Sequence, residues 1–462
     1  MFMDTNDRRP NHTNESSEIY LQAYRQNSDI EYDTLTGLYN REAFLRRVHS
    51  ILQKAKPSEY ILNVTDVDYF KVINELFGHD AGDEFLKAMG KALQKAVDKE
   101  YGICCRLHTD NFASIYRYTD EIVNRLNAAR HELIIKYPLP FEFVLSTGRY
   151  VIDDPTLSPG LILDRAMMAR KTIKGIYDRR DAYYTADMRE AMLSEQEIIS
   201  EMRHALNQNQ FQVYLQPQFI HAEQRIFGAE ALIRWQHPAK GNIPPNKFIP
   251  IFERNGFITA LDLYVVEQAC KAIQKWKKCA CKPVPLSVNL SRMNFYNTKL
   301  TDNIFAITNK YEIQPQQLKF EITESAYADN PEQLIRSMNQ LRDKGFSIEL
   351  DDFGSGYSSL TALANMPLDT IKLDMRFILN DTEEEKRTKV LECIVALSKS
   401  LNLEIIAEGI ETNEQAEYLA KIGCKNLSLD WAIDDKSRRR SRLVGSSVNL
   451  LCEQTDFSFG NL

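Results

Sequence analysis

Acidic and amide side chains recur in the second half of the chain, each inside or at the end of a short apolar segment. Long stretches of sequence separate them, so they can act together only if the fold brings these segments to one place. With one lysine among them, the residues are Glu230, Asn289, Glu321, Asp351, Asp352, Lys372 and Glu408. Because several carboxylates share a low-dielectric site only when a cation neutralises them, the pattern predicts a cation site.

The donor types indicate which cation and which chemistry. Hard oxygen ligands favour Mg²⁺ or Mn²⁺ over softer metals. A carboxylate cluster with a lysine beside it suits two-metal hydrolysis of a phosphodiester. A single polar residue at a strand end more often caps a neighbouring helix, but recurrence in successive units favours a shared site.

The segments that carry these residues predict a barrel. Short apolar strands alternate with helical stretches, which is typical of a closed, TIM-like (β/α)8 barrel. Because the carboxyl ends of parallel strands face one mouth, we expect the acidic residues to converge there. The predicted strands include “FQVYLQPQF”, “FGAEALIRW”, “PLSVNLS”, “LKFEITES”, “FSIELDDFG”, “TIKLDMRF” and “LEIIAEGI”.

The front half predicts a different architecture. Residues 31–185 read as a βαββαβ arrangement, which indicates an α+β domain with an antiparallel sheet. Residues 1–30 are polar and predict an N-terminal arm, whereas 186–208 lack Gly and Pro and predict a linker helix. The barrel domain is expected at 195–430, and an atypical tail at 425–462.

Composition excludes several classes of protein. The net charge of −7 argues against capture of a nucleic-acid polymer. No apolar run is long enough to cross a membrane, and the first residues lack the core of a secretion signal. The 8 cysteines are scattered, which favours buried thiols in a reducing cytoplasm. We therefore expect a cytoplasmic protein without a membrane span.

Motifs in the second half resemble a known family. Glu230-Ala231-Leu232 stands within “GAEALIRW”, followed in order by “SVNLS”, “FEITES”, “ELDDFGSGYSSL”, “IKLD” and “AEGIET”. This order resembles the EAL family of bacterial cyclic-di-GMP phosphodiesterases over about residues 195–424. The resemblance implies a barrel that cleaves cyclic-di-GMP to linear pGpG with two Mg²⁺ or Mn²⁺ ions.

The resemblance also implies roles for individual residues. The first metal ion would be held by Glu230, Asn289, Glu321 and Asp351. Asp351 and Asp352 would hold the second ion, Lys372 the attacking water, and Glu408 would help to bind the metal and water cluster. The dinucleotide would contact Gln216 and Arg234. Glu324 would anchor the loop “DDFGSGYSSL”, which in this family links metal binding to dimer contacts, so a homodimer through the EAL domain is expected.

The chain departs from the family after “AKIGC”. A last strand ending in Gln-Gly-Tyr is expected there, but alignment from Gly423-Cys424 puts Ser428 at the glutamine position. “LSLDW” can still close the barrel as a strand, and the basic run at 436–442 reads as a solvated tail. The abrupt change is consistent with a shifted reading frame or a recombined end. Because the glutamine positions the catalytic water in this family, its loss puts catalysis in doubt.

The front half resembles the GGDEF family of diguanylate cyclases through “DTLTGLYNREAF”, “DVDYFKVINELFGH” and “AGDEFL”. The letters of “AGDEF” fall shortly after “GH”, inside a predicted helix with a break near Gly78. There Asp83 would recognise guanine with Asn74 as its partner, and Asp66 would be a metal ligand.

The signature itself belongs on a later hairpin, where the sequence reads “RLHTDNF”. His108 and Thr109 replace two glycines that let the backbone approach a triphosphate, while Asp110 keeps a carboxylate. “AGDEF” is therefore predicted to be a decoy and the hairpin a degenerate cyclase site. Where the family has an Arg-x-x-Asp inhibition site, this chain has “KEYG” at 99–102. A regulatory role through GTP binding or dimer support stays open, as does a retained folding domain.

Three functions compete. The first is a cyclic-di-GMP phosphodiesterase with a cyclase-inactive regulatory front domain. The second is a barrel that binds cyclic-di-GMP without hydrolysing it, and the third is an interaction protein that binds no nucleotide. The acidic residues favour the first two functions over the third. Because Gln-Gly-Tyr is absent, hydrolysis is favoured over binding without hydrolysis by less than the acidic residues alone would indicate.

Overall fold

The computed structural model describes residues 31–97, 101–137, 145–176, 179–223, 225–279, 282–327, 330–354, 360–375, 384–410 and 412–428. The chain divides into two compact units, Met1–Ser194 and Glu195–Leu462. The predicted arm at 1–30 and nearly all of the predicted tail lie outside the described residues.

The first unit is a mixed α/β domain. Its strands are β1 (Tyr60–Val67), β2 (Gly102–His108), β3 (Asn111–Arg117), β4 (Leu145–Val151) and β5 (Asp181–Tyr183). Its helices are α1 (Arg41–Leu52), α2 (Phe70–Phe77), α3 (His79–Val97), α4 (Asp120–Lys136) and α5 (Pro159–Lys171). A further helix, α6 (Ala186–Asn207), begins in this unit and leads into the second.

The five strands form one sheet in the order β2-β3-β1-β4-β5. The pairs β2–β3, β1–β3 and β1–β4 are antiparallel, which confirms the predicted sheet. The short strand β5 was not predicted, and it pairs with β4 in parallel.

Helices cover both faces of this sheet because its central strands carry apolar residues on both sides. Ile61 and Phe112 join the core under α3 and α4. Leu62, Val64 and Ala113 belong to the core under α1 and α5. The alternation follows from the two-residue period of a strand, which sends neighbouring side chains to opposite faces.

The second unit is a barrel with helices on the outside. Its strands are β6 (Phe211–Ile220), β7 (Arg225–His237), β8 (Gly241–Ile243), β9 (Leu286–Asn289), β10 (Leu318–Thr323), β11 (Ser347–Phe353), β12 (Thr370–Asp374), β13 (Glu404–Glu408) and β14 (Asn426–Ser428). Its helices are α7 (Pro245–Asn255), α8 (Ile258–Lys278), α9 (Arg292–Phe295), α10 (Leu300–Lys310), α11 (Pro331–Asp343), α12 (Leu360–Asn365), α13 (Glu384–Ser400) and α14 (Asn413–Ile422). Three short 3₁₀ helices span His221–Glu223, Pro315–Gln317 and Glu324–Tyr327.

Eight strands close the barrel in the order β6-β14-β13-β12-β11-β10-β9-β7, with β7 pairing back to β6. The neighbours from β7 through β9 to β14 are parallel, as predicted. The first strand differs from the parallel arrangement, because β6 is antiparallel to both β7 and β14. The β6–β7 connection is a hairpin, so the two strands can pair only in opposite directions.

Alternation along the strands separates an apolar exterior from a polar interior. Phe320 and Ile322 of β10 pack in one core with Met338 and Leu341 of α11. Between them, Glu321 faces the other way, into the barrel. Polar residues at every second position therefore line the barrel, while the apolar ones fix the helices around it.

Side chains cap several helices, as the sequence pattern favours. In each case the side-chain oxygen of the residue before the helix accepts a hydrogen bond from a backbone N–H of the first turn. These capping residues are Asn40, Thr119, Ser158, Asn330 and Thr412. Within the described ranges, no helix combines the length and apolar character that a bilayer crossing requires. The described cysteines all have free thiols.

Candidate active site

A buried lysine lies at the centre of the predicted acidic site. The Nζ of Lys372 is 2.9 Å from Glu230 Oε2, 3.0 Å from Glu321 Oε2, 3.3 Å from Asp351 Oδ1 and 3.0 Å from Glu408 Oε1. The lysine side chain is 1% exposed, and that of Glu321 is fully buried. We call these four carboxylates and Lys372 the acidic ring. Four of the five acidic residues that were predicted to converge therefore meet at Lys372, and Asp352 is the fifth.

The strands bring these residues together from opposite sides of the barrel. Glu230 is on β7 and Lys372 on β12, so their contact shows that both side chains enter the barrel interior. Asn289, the last residue of β9, pairs in register with Glu321 on β10. Its Nδ2 donates a hydrogen bond to Glu230 Oε1 at 2.9 Å. The amide is therefore part of the same site.

Burial and mutual repulsion shift the pKa values of the ring. Burial raises the pKa of Glu321 well above its usual value, and the nearby charge of Glu230 raises it further. Burial likewise raises the pKa of Asp351 to about 6 and that of Glu408 to about 8. Burial acts on Glu230 in the same direction, but the charge of Lys372 keeps its pKa below the usual value. One ammonium thus does not neutralise all four carboxylates.

The lysine itself stays charged in spite of its burial. Burial alone would lower the pKa of Lys372, but the surrounding carboxylates raise it well above its usual value, beginning with Glu230. The predicted role of Lys372 was to hold a water. In this structure its ammonium contacts the four carboxylates directly, so it is also their counter-ion.

A break in β11 places two consecutive aspartates at the mouth. The pairing of β11 with β12 shifts between Leu350 and Phe353, and Asp352 has a φ of 55°. Its N–H donates to Asp351 Oδ1 at 3.0 Å. In a regular strand two consecutive side chains would point to opposite faces. The bulge instead lets Asp351 and Asp352 line the same cavity.

This cavity opens beside the ring and has a volume of about 550 Å³. Arg234 lines it four residues after Glu230, together with Asn289 and both aspartates. Arg234 is buried, and burial lowers its pKa. The wall thus combines this cationic side chain with several carboxylates, so an anionic ligand would contact Arg234 only where a bound cation offsets the carboxylates.

Sequence reasoning missed two acidic residues of this cavity, Glu253 and Asp262, of which Asp262 is the buried one. Asp262, in the first turns of α8, is buried and lines the wall. It accepts hydrogen bonds from Ser291 N at 2.8 Å and Asn294 Nδ2 at 2.7 Å. Burial raises its pKa to about 7. Asp262 lies on the buried face of a helix, where an alternating strand pattern gives no signal.

The predicted loop anchor, Glu324, begins a short 3₁₀ helix directly after β10. Its side chain is buried, and neither carboxylate oxygen has a hydrogen-bond partner in the part of the chain that the structure describes. Residues 355–359, which are half of the loop that it would anchor, lie outside the described residues.

The departure from the family motif is also inside the barrel. Ser428 ends β14 and is fully buried. Its Oγ accepts a hydrogen bond from Nε2 of Gln216 at 3.4 Å. Gln216 pairs in register with Glu230 across β6 and β7. The serine at the expected glutamine position therefore contacts a predicted substrate-binding residue, and “LS” of “LSLDW” does close the barrel.

In the first unit, the two predicted locations are confirmed. The “AGDEF” residues lie inside α3, which follows a break at Gly78 with a φ of 84°. Asp83 is exposed on this helix, and Asn74 packs against Gly82. Residues 106–112 form the β2–β3 hairpin, as expected.

Two features characterise the potential cyclase site. Asp66 is buried and forms ion pairs with Arg170 and, at 2.7 Å, with Lys174 Nζ. At the hairpin, Thr109 has a φ of 43° and its hydroxyl donates to Asp110 Oδ1 at 2.8 Å. The Asp66 carboxylate is therefore neutralised by side chains, and the turn carries a side chain at a conformation that favours glycine.

Comparison with known proteins covers both units. The family model for the EAL domain matches residues 199–427, and that for the diguanylate cyclase GGDEF domain matches 30–175. Among curated relatives, cyclic di-GMP phosphodiesterase NbdA of Pseudomonas aeruginosa is 29% identical over 406 residues, which are 85% of this chain and 51% of NbdA. The bifunctional diguanylate cyclase/cyclic di-GMP phosphodiesterase MucR of the same organism is 29% identical over 413 residues, 86% of this chain and 59% of MucR.

This chain spans about half the length of the curated relatives it matches. Among solved structures, the EAL enzyme Bd1971 in its cGMP-bound form has a TM-score of 0.50 and 20% identity. The match covers 81% of this chain and 91% of that one, and it indicates likeness of fold. The two family matches occur in tandem and coincide with the two structural units. The chain therefore belongs to the GGDEF–EAL proteins, with a GGDEF domain followed by an EAL domain.

Proposed function

We propose that the barrel is a phosphodiesterase that hydrolyses cyclic-di-GMP to linear pGpG. The observation that carries this proposal is the convergence of Glu230, Glu321, Asp351 and Glu408 beside a cavity walled by Arg234. The relatives whose names include cyclic di-GMP phosphodiesterase support the same substrate.

The ring residues fit divalent cations by their chemistry. Every donor is a hard oxygen, which suits Mg²⁺ or Mn²⁺. Oε1 of Glu321 is buried without a hydrogen-bond partner among the described residues, whereas Glu321 Oε2 and Glu408 Oε1 each lie 3.0 Å from Lys372 Nζ. No three His, Cys, Asp or Glu side chains in the described ranges are already arranged around a metal position, and Lys372 lies between the carboxylates instead.

We propose that two ions bind here. One would be held by Glu230, Asn289, Glu321 and Asp351, and the other by Asp351 and Asp352. When bound, such ions reduce the repulsion between a phosphodiester and its attacking nucleophile and lower the pKa of a bound water. The bulge at Asp352 serves this purpose because it turns both aspartates toward one cavity.

The chain's own residues then bind and orient the reactants. Lys372 would release part of its carboxylate contacts and hold the attacking water by hydrogen bonding, and Glu408 would help to hold the metal and water cluster. Arg234 would contact the anionic dinucleotide from the cavity wall, and Gln216 would contact it from β6. Glu324 would anchor the loop that follows Asp352 and so support both aspartates.

A second candidate function is binding of cyclic-di-GMP without hydrolysis. The observation that favours it is the buried serine at position 428, because a hydroxyl is shorter than the glutamine side chain of the family motif. Loss of a residue that orients a ligand or water commonly lowers activity about 10- to 100-fold. The hydrogen bonds of the Glu230 and Arg234 side chains within the described residues do not involve Ser428 directly.

We further propose that the GGDEF domain is regulatory and makes no cyclic-di-GMP. Asp66 is engaged by Arg170 and Lys174, and the hairpin carries His108 and Thr109 where the family motif has glycines. GTP binding at this domain and a homodimer through the EAL domain are parts of the same proposal. Equilibrium dialysis with GTP and sedimentation of the purified chain test these two parts separately.

The main test follows pGpG by chromatography after cyclic-di-GMP and Mn²⁺ are mixed with the purified protein. We expect turnover, and we expect Glu230→Gln to abolish it. Calorimetry in Ca²⁺ measures nucleotide binding in parallel. Heat of binding without turnover supports the second candidate, while the absence of both signals refutes both candidates.

A gain-of-function variant separates slow hydrolysis from pure binding. Ser428→Gln restores the side chain of the family motif, so we expect pGpG formation to rise about 10- to 100-fold. Ser428→Ala is the matched control, and it should not raise the rate. An unchanged rate in Ser428→Gln, with the same nucleotide affinity, would show that residue 428 does not limit turnover.

A further inference from the structure

A second layer of charge lies inside the barrel, next to the acidic ring. Glu349 of β11 is fully buried, and its Oε1 accepts a hydrogen bond from Lys319 Nζ at 2.9 Å. Its other oxygen, Oε2, accepts a hydrogen bond from Ser287 Oγ at 2.6 Å. We call Ser287, Lys319 and Glu349 the lower layer. Nothing in the proposed reaction uses these residues.

On three adjacent strands, each residue of the lower layer lies two positions before a residue of the proposed metal site. Ser287 precedes Asn289 by two residues, Lys319 precedes Glu321 by two, and Glu349 precedes Asp351 by two. Because side chains alternate with a period of two, each pair of residues faces the same side of its strand. The lower layer therefore lies directly beneath the donors of the proposed metal site.

The two layers are electrostatically coupled. Glu349 pairs in register with Glu321 on the neighbouring strand, so their carboxylates lie side by side and are both fully buried. Lys319 neutralises Glu349 from below, and its Nζ is 3.9 Å from the exposed carboxylate of Glu404. Burial weakens solvent screening, so a charge in the lower layer acts on the ring above it.

A structural role alone does not account well for this arrangement. Desolvation offsets most of the attraction in a buried ion pair, and apolar replacements of such pairs are often as stable. An apolar residue at each position would also close the barrel floor. Unlike an apolar floor, the Lys319–Glu349 pair places one positive and one negative charge at fixed positions beneath the ring.

We propose that Lys319 and Glu349 are positioning residues whose paired charges set the affinity of the acidic ring for divalent cations. This inference rests on the proposed function, since it concerns the same metal site. The carboxylate of Glu349 favours a cation in the ring, and the ammonium of Lys319 opposes it. In the native pair the two effects nearly cancel.

The test measures Mn²⁺ affinity by calorimetry without nucleotide, with the unfolding temperature of each protein alongside. Glu349→Gln keeps the shape, with an amide that can accept a hydrogen bond from Lys319 and donate one to Ser287 Oγ, but it leaves the ammonium of Lys319 without its buried counter-ion. We therefore expect the affinity to fall about tenfold. Lys319→Met removes that ammonium, so we expect equal or tighter binding. The double variant has neither charge and should bind as the native protein does, within about twofold.

Glu404→Gln is the matched control. This carboxylate also faces Lys319, but it is 62% exposed, so solvent screens its charge. We expect no change in Mn²⁺ affinity. The comparison of Glu349→Gln with the double variant is sufficient to decide the sign of the effect, even if Lys319→Met alone does not fold.

The outcomes distinguish this inference from the proposed function. If the native protein binds no Mn²⁺, both are refuted. If it binds Mn²⁺ but Glu349→Gln and the double variant bind equally well, the lower layer is a structural floor and only this inference is overturned. The inference is also overturned if both single variants weaken Mn²⁺ binding in step with a lower unfolding temperature, because damage to the barrel would produce that pattern.

Discussion

Replacing Lys372 by methionine gives the sharpest test of how the acidic ring is held. The change keeps the length of the side chain and removes the ammonium that contacts four carboxylates at 2.9 to 3.3 Å. Coulomb's law gives about 5.5 kcal/mol for a single pair at 3 Å and an effective dielectric constant of about 20. Desolvation and the repulsion among the carboxylates offset most of the attraction summed over the four pairs.

Mutations that break a buried ion pair give a more realistic figure. They cost about 3–5 kcal/mol, because the remaining charge is left buried and unpaired. In a domain of this size, 1 kcal/mol shifts the unfolding temperature by about 2–4 °C. We therefore expect Lys372→Met to lower the unfolding temperature of the metal-free barrel by about 6–20 °C.

Scanning calorimetry with and without Mn²⁺ is the assay, because it separates the transitions of the two domains. If the ring needs a cation, Mn²⁺ should raise the unfolding temperature of Lys372→Met more than that of the native protein. Lys271→Met, on an exposed position of α8, is the control and should change stability by less than about 0.5 kcal/mol. A Lys372→Met barrel as stable as the control, and insensitive to Mn²⁺, would refute the account of the ring.

Three further predictions follow from the site and from the GGDEF domain. The raised pKa values of Glu408 (about 8) and Asp351 (about 6) mean that the folded metal-free barrel binds protons that the unfolded chain releases. Its stability should therefore fall as the pH rises from about 5 to 8, while Mn²⁺ affinity rises over the same range; urea titrations and calorimetry at each pH measure both. Asp352→Gly relieves the positive φ, so we expect an unchanged or slightly higher unfolding temperature together with at least tenfold slower pGpG formation. Asp110→Ala should leave pGpG formation unchanged, and its loss in a folded protein would contradict the division of labour between the domains.

The acidic ring could be predicted because strand geometry leaves few alternatives. Glu321, Asp351 and Lys372 occupy inward positions of successive parallel strands, and the period of two fixes the face on which each must lie. The positions of “AGDEF” in a helix and of “RLHTDNF” on a hairpin were predictable for a similar reason, because residues 79–97 carry a helical pattern and 102–117 do not.

Other features leave no local trace in the sequence. The alternation in β6 is the same whether the strand is parallel or antiparallel, so its direction depends on the hairpin to β7. The bulge at Asp352 depends on backbone dihedral angles that an aspartate adopts rarely. The counter-ion role of Lys372 follows from distances across the barrel, and β5 and β8 are each too short to give a periodic signal.

The strand β14 closes the barrel with three residues, Asn426–Ser428, between β13 and the antiparallel β6. Within the described residues it pairs with β13 at two positions, whereas β10 and β11 pair with each other at five. Gln216 on β6 donates a hydrogen bond to Ser428 on β14, so it connects the two strands. Amide protons where β14 meets β6 and β13 should consequently exchange with deuterium before those of β10 and β11. A ligand that binds Gln216 should slow this exchange, because it would hold β6 and β14 together.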